Sequence, residues 1–332
     1  MITLIIASIN RSDYLIKYLE CLQNQKFDGQ LLIGDSSDDY HLDKIQKYLN
    51  KNFFSFEIEH HKMPNKLPHE CINKLLNKIK YEYTMWICDD DLLVFKTLKK
   101  CVDFLKHNPD FSAAGGKIQN VTIIENNFAS CDKYELNNFL DDNIFLRLEN
   151  FSKKYQVVQY SVSRTKDFKL RYNIDKNNFD KSLGAEVYPT VFLIVMGKIK
   201  FFDDLFCIRQ IHERRIILKK VSKKINSIDY QASLKISIDN IVNYIKEKSE
   251  EKSEIIDKKI KNYFNKYHNQ KIKNEKLQNI SKKSFITKYL KLLLNTNYFK
   301  FKYTFKKIYL NFGFKKLKQF NEIEKFLIKK VI

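Results

Sequence analysis

Four short apolar runs, each closing on polar residues and each separated from the next by a helical stripe or a charged segment, constrain this chain more than any other feature. Ile2–Ala7 (ITLIIA) is the first, and Leu31–Ile33 the second. Phe53–Ile58 reads as a third and Tyr83–Cys88 (YTMWIC) as a fourth. Continuous apolar, β-branched runs of this length mark strands buried on both faces. Between them, Tyr14, Leu15, Tyr18, Leu19 and Leu22 recur at helical spacing, with Ser12 or Asp13 as the expected cap. A helix is expected over 41–50, and Pro68 opens another with apolar residues at 71, 72, 75, 76 and 79. Phe95 to Leu105 follows as a helix ended by Asn108-Pro109, and Phe111–Ala114 as a strand before Gly115-Gly116. Such alternation predicts an α/β fold, a mostly parallel sheet with helices on both faces. In open α/β sheets ligands gather outside the carboxyl ends of the strands. Here those ends carry Ser8, Asn10 and Arg11, then Asp35 and Ser36, then Asp89, Asp90 and Asp91, and the fold would bring them to one edge.

Bulk composition agrees with a folded core, since 44% of the 332 residues are hydrophobic. The net charge of +21 is uneven: residues 271–332 hold 17 lysines against 3 glutamates, with no arginine or aspartate. The charge therefore describes a tail rather than a catalytic unit. Cys21, Cys71, Cys88, Cys101, Cys131 and Cys207 show no paired metal spacing, which predicts free, mostly buried thiols in a reducing compartment. No basic leader precedes the first strand, and the longest strictly apolar run is Val191–Met196, expected as a strand. That is far short of the ~20 residues a membrane span needs. A cytoplasmic protein is the expectation.

The chemistry concentrates at Asp89-Asp90-Asp91. Three adjacent carboxylates at the end of a buried strand repel one another, so cations or hydrogen-bond donors must offset them. Hard carboxylate oxygens suit Mg²⁺ or Mn²⁺, which commonly share their shell with substrate phosphates. The plain alternative is a solvated acidic turn that caps a helix.

Three segments in order, Thr3–Arg11 (TLIIASINR), Ile33–Asp38 (IGDSSD) and Tyr83–Leu93 (YTMWICDDDLL), resemble the motifs of family 2 glycosyltransferases of the GT-A fold. The stretch Cys101–Phe111 resembles a bacterial subgroup of that family. Ala7 departs from the usual proline, and Gly34 stands where an acidic residue is common. The resemblance implies a nucleotide-diphosphate sugar as donor and a divalent metal (Mn²⁺ or Mg²⁺) on its diphosphate at the D-x-D formed by Asp89 and Asp91. Ala7, Ser8, Asn10 and Arg11 would border the nucleoside, Asp35 would accept from the base, and Asp89, with Asp90, would face the ribose and phosphates. It further implies inversion at the anomeric carbon with a downstream carboxylate as general base. Glu186 in Leu183–Pro189 is the candidate, with Asp203 and Asp204 as rivals. In Cys207–His212, Arg209 suits bidentate diphosphate contact, and His212 suits a metal or a phosphate.

The expected organisation is a catalytic domain over 1–215 and a Lys-rich, mostly helical extension over 216–332, with Arg214 and Arg215 at its start. That extension fits a solvated appendage, an anionic membrane surface or, less well, nucleic acid. Transfer to a glycan, lipid-linked or protein acceptor in bacterial polysaccharide or protein-glycan assembly is the expected function, with the enzyme peripheral on the inner membrane face. Two other classes use the same residues. A metal-dependent nucleotidyltransferase or phosphotransferase would release pyrophosphate or move phosphate. A non-catalytic nucleic-acid-binding protein would bind oligonucleotides in a strongly salt-dependent way through its basic tail.

Overall fold

The computed structural model describes residues 1–124, 127–174, 179–212 and 223–293. Arg214, Arg215, the 215/216 boundary and the lysine-aromatic stretch beyond 293 lie outside the described residues.

Strand β1 (Thr3–Ser8) is buried along nearly its whole length and opens the sheet. Helix α1 (Ser12–Asn24) follows, but neither Ser12 nor Asp13 caps it. Its first turn closes on the Arg11 carbonyl, which accepts from the Tyr14 and Leu15 amides. The Ser12 hydroxyl bonds His41 Nδ1 instead, and Asp13 pairs with Lys44. Strand β2 (Gln30–Asp35) and helix α2 (Asp39–Lys51) come next, the helix capped by Asp38. Strand β3 spans Glu57–Lys62, not the apolar stretch expected from Phe53. The reason is its place at the edge of the sheet, where half-exposed charged and polar side chains are tolerated. Helix α3 (Pro68–Leu75) leads to β4 (Tyr83–Ile87), then the short β5 (Leu92–Leu93) and α4 (Phe95–His107).

Strands β1 to β4 pair in parallel in the order β3-β2-β1-β4, with Ser8 opposite Asp35 and Ile6 opposite Ile87. Beyond them the sheet is mixed. Strand β6 (Phe111–Ile124) runs far past Gly116, and only two residues of sequence separate it from β7 (Asn127–Tyr134). So short a connection forces an antiparallel pair. Helix α5 (Ile144–Lys153), β8 (Val162–Arg164) and α6 (Thr165–Tyr172) complete the middle of the chain. Strand β8 runs antiparallel between β4 and β6.

A single π-helical turn, Leu183–Val187, enters α7 (Tyr188–Met196). The run Val191–Met196, expected as a strand, is therefore helical. Tyr188 to Val195 are all buried, so no polar face remains to show a period of 3.6. Strand β9 (Lys198–Ile211) then runs parallel to β6 and holds β5 on its other side. Helices α8 (Ile228–Lys246) and α9 (Ser253–Leu293) follow.

Two hydrophobic cores result. One joins β1, β2 and β4 to α1, α3 and α4. The other gathers Phe151, Val191 and Ile194 with Tyr230, Ile241 and Ile245 of α8 and Ile260 and Phe264 of α9. Each such side chain contributes roughly 1.5–3 kcal/mol on burial. All six cysteines are free, and among the described residues no helix is long and apolar enough to cross a membrane.

Candidate active site

The parallel register does most of the positioning. With β1 between β2 and β4, the polar ends of the three strands become neighbours. Ser8 Oγ donates to Asp89 Oδ2 at 2.6 Å. Asn10 takes a left-handed conformation, φ 52°, which asparagine tolerates better than most residues. Its amide donates to Ser37 Oγ at 2.7 Å, and its side-chain oxygen accepts from the Asp38 amide at 2.9 Å. Asp35 is buried; Oδ1 accepts from the Ser37 amide and hydroxyl, and Oδ2 meets His60 Nε2 at 2.9 Å.

The triplet is offset by named groups, as three buried carboxylates require. Arg11 reaches Asp89 Oδ1 at 2.7 Å and Asp90 Oδ2 at 2.6 Å. Burial works against the Arg11 charge, but Asp89 and Asp90 hold its pKa above the ordinary value. His212 Nε2 also meets Asp90 Oδ2 at 3.0 Å, and its ring stacks on Tyr14. Burial disfavours the Asp90 charge, yet His212 and Arg11 keep its carboxyl below the usual range. Strand β9 returns to this end of the sheet, so the Gln210 amide donates to Asp91 Oδ1 at 3.0 Å. Burial pushes the Asp91 carboxyl upward, and the neighbouring Asp90 adds to it. Burial does the same to Asp89, opposed by Arg11.

A donor set for a cation lies here. One ligand atom each from Cys88, Asp90 and Asp91 fall within 4.8 Å of one another. Two hard carboxylates on a cavity wall fit Mg²⁺ or Mn²⁺. Of the three residues expected to hold metal, Asp91 belongs to this group. Asp89 is turned inward to Ser8 and Arg11, and His212 is tied to Asp90.

A cavity of about 230 Å³ opens beside the triplet. Ala7, Ser8 and Arg11 line it from β1 and the turn after it, as do Asp90 and Asp91; Asn10, Asp35, Asp89 and His212 do not. Arg209 lines it from β9, its guanidinium 5.5 Å from the Tyr134 ring and 5.9 Å from Tyr160. Burial opposes its charge, but Tyr160 and Asp91 raise its pKa overall. Among the described residues no carboxylate lies within ion-pair distance of it.

Glu186 lines the same cavity from the π-helical turn, and Tyr155 donates its hydroxyl to Glu186 Oε1. Gly184 in that turn is needed for close approach, because a Cβ there would sit 2.8 Å from the His69 ring. Gly34 has a similar cause: a Cβ would meet Cys71 Cβ of α3 at 2.8 Å. Asp203, exposed, and Asp204, half-buried, lie elsewhere, paired with Lys117 and Lys100, and neither lines the cavity. Sequence reasoning missed Lys66, Lys181, Trp86, Gln159 and Tyr160, which also form the wall. Gln159 and Tyr160 sit in a stretch without periodicity. Trp86 stands two residues before Cys88 on β4 and was legible as lying near the triplet.

A family model described as Glycosyl transferase family 2 matches residues 3–178, more than half of the chain. Among solved structures, S. aureus TarS shares 15% identity with a TM-score of 0.50, over 80% of this chain and 43% of that one. The chain thus spans under half the length of that TarS chain. TarS 1–349 in complex with UDP-GlcNAc gives a TM-score of 0.52 at 15% identity, covering 80% of this chain and 72% of that one. These likenesses are likenesses of fold. A search of curated proteins finds no match.

Proposed function

The chain belongs to glycosyl transferase family 2, and from that premise we propose that it transfers a sugar, with inversion, from a uridine-diphosphate sugar to a hydroxyl acceptor. The observation that carries the reading is the cavity, which joins the carboxylates Asp90 and Asp91, the cation Arg209 and the carboxylate Glu186 on one wall system. UDP-GlcNAc bound to a TarS structure of the same fold supports the choice of donor nucleotide.

The roles follow from charge. Cleaving the bond between the anomeric carbon and phosphate leaves a nucleoside diphosphate with growing negative charge. Arg209, Lys181 and Lys66 are the cavity cations available to it. Arg11 is already engaged by Asp89 and Asp90, so its role is to hold the triplet in place. A divalent cation held by Asp90 and Asp91, with Cys88 beside them, would supply Lewis-acid stabilisation of the diphosphate. Glu186 takes the proton of the acceptor hydroxyl as that oxygen bonds to the anomeric carbon. The electron pair of the broken bond leaves with the diphosphate. Acceptors in bacterial surface-glycan or protein-glycan assembly fit this reading. The lysine surplus of 271–332 supports a peripheral position on an anionic membrane face.

The test is a thermal-shift screen of UDP-, GDP- and dTDP-sugars with and without Mn²⁺, on the wild-type chain and Asp91→Ala. The expected result is a Mn²⁺-dependent rise in Tm with UDP-sugars that Asp91→Ala abolishes. A folded protein that no nucleotide sugar stabilises would sink the reading.

A further inference from the structure

We propose that Tyr155 is a positioning residue for Glu186 and that Tyr267 of α9 seats it, so that the C-terminal helical region forms part of the catalytic apparatus. The inference rests on Glu186 being the general base and adds what holds it. Glu186 sits on a π-helical turn, a rare single-turn element whose i→i+5 bonds fix the backbone but not the direction of its carboxylate. The hydrogen bond to its carboxylate that the described residues show comes from the Tyr155 hydroxyl. Burial, then Glu186 itself, pushes the Tyr155 phenol well above its ordinary range, so it remains a donor at neutral pH.

Tyr155 belongs to neither regular element beside it. It follows α5 by two residues, and its ring is fixed by neighbours from elsewhere. The Phe151 centroid lies 5.3 Å away and the Tyr267 centroid 5.6 Å away. Lys271 Nζ stands 5.1 Å from the ring centre. Gln270 Nε2 donates to the Lys153 carbonyl at 3.2 Å, tying the same turn of α9 to the end of α5. Tyr155 also packs against both hydrophobic cores, the sheet core and the one that α8 and α9 complete. A chain of contacts therefore runs from α9 through one aromatic ring to the carboxylate on the cavity wall. Misplacing a reacting group by about an ångström can cost up to about a hundredfold in rate, which makes such a support consequential.

The experiment uses the full chain carrying 3-fluorotyrosine, read by ¹⁹F NMR, with Tyr155→Phe assigning the resonance. The Tyr155 signal is expected to move on Glu186→Gln and on Tyr267→Ala, and to stay in place on Tyr267→Phe, which keeps the ring contact. In parallel, UDP release from UDP-GlcNAc is followed. Tyr155→Phe is expected to lower kcat about tenfold or more while the donor KM changes less than about twofold. Tyr267→Ala should lower kcat in the same direction, and restoring the ring with Tyr267→Phe should recover most of that loss. A Tyr155 resonance indifferent to Glu186→Gln would overturn the proposal, as would wild-type kcat in Tyr155→Phe when Glu186→Gln is inactive. Full turnover in Glu186→Gln would instead remove the general-base assignment, and the ¹⁹F shifts would still decide whether Tyr155 and Tyr267 hold that carboxylate.

Discussion

At the residue scale the site is a matter of which charges are already matched. Arg11 is buried between Asp89 and Asp90, and Asp89 has no other cation within reach among the described residues. Arg11→Met should therefore cost about 3–5 kcal/mol in urea denaturation, because it leaves a buried carboxylate uncompensated. A loss below about 1 kcal/mol would mean that Ser8 alone suffices to hold Asp89. Glu186 and its rivals separate just as sharply. Glu186→Gln should lower turnover by roughly a hundredfold to ten-thousandfold while donor affinity persists. Asp203→Asn and Asp204→Asn, on surface salt bridges, should change neither. Equal losses from Asp204→Asn and Glu186→Gln would refute the placement of the base. The triplet was legible in sequence because its members are adjacent and follow an apolar run. The inward turn of Asp89 was not, because it depends on Arg11, which is 78 residues away and meets the triplet only after β1 and β4 pair.

At the scale of elements, legibility follows the two faces of each segment. Strands β1 and β4 lie inside the sheet with a neighbour on each side, are buried along nearly their whole length and read directly as apolar runs. Strand β3 is an edge, so its apolar signal fell on the Phe53–Phe56 lead-in instead, where Phe53 is 90% exposed. Helix α7 is buried all round, which erases the helical period and left it looking like a strand. The π-helical turn before it has no sequence signature beyond Gly184, yet it presents Glu186 to the cavity. Its seat is the His69 ring, which is buried and whose two ring nitrogens have no hydrogen-bond partner among the described residues. Gly184→Ala would drive a methyl group into that ring, at a cost of about 1–3 kcal/mol. Turnover should fall with it, since Glu186 rides on the same turn. Adding His69→Ala should return part of both losses, a coupling of opposite sign between neighbours. Additive losses in thermal denaturation and in UDP release would show that the turn is not seated on His69.

For the whole molecule the issue is whether α8 and α9 fold with the sheet or beside it, and one histidine and one tryptophan can decide. His268 of α9 is buried, and Tyr230 of α8 stands 2.8 Å from its Nε2. Burial lowers the His268 pKa to about 4, from an ordinary value of 6.5. The unfolded chain therefore binds a proton that the folded chain refuses between those values. Stability contributed by the neutral imidazole is present above pH 6.5 and is lost as pH falls toward 4, by about 3 kcal/mol. His268→Gln keeps an uncharged hydrogen-bonding group there and should flatten that limb. The single tryptophan, Trp86, lies in β4 within the other core, so its fluorescence reports the sheet, while far-UV circular dichroism is dominated by the helices. If the second core ties the C-terminal helices to the catalytic sheet, urea unfolding followed by both signals should coincide at pH 7.5 and at pH 5. The His268 limb should then appear in the Trp86 signal as well. Two transitions, with the acid limb confined to the helical signal, would instead make the extension a separate folding unit. The path from α9 through Tyr155 to Glu186 would then have to survive on local contacts alone.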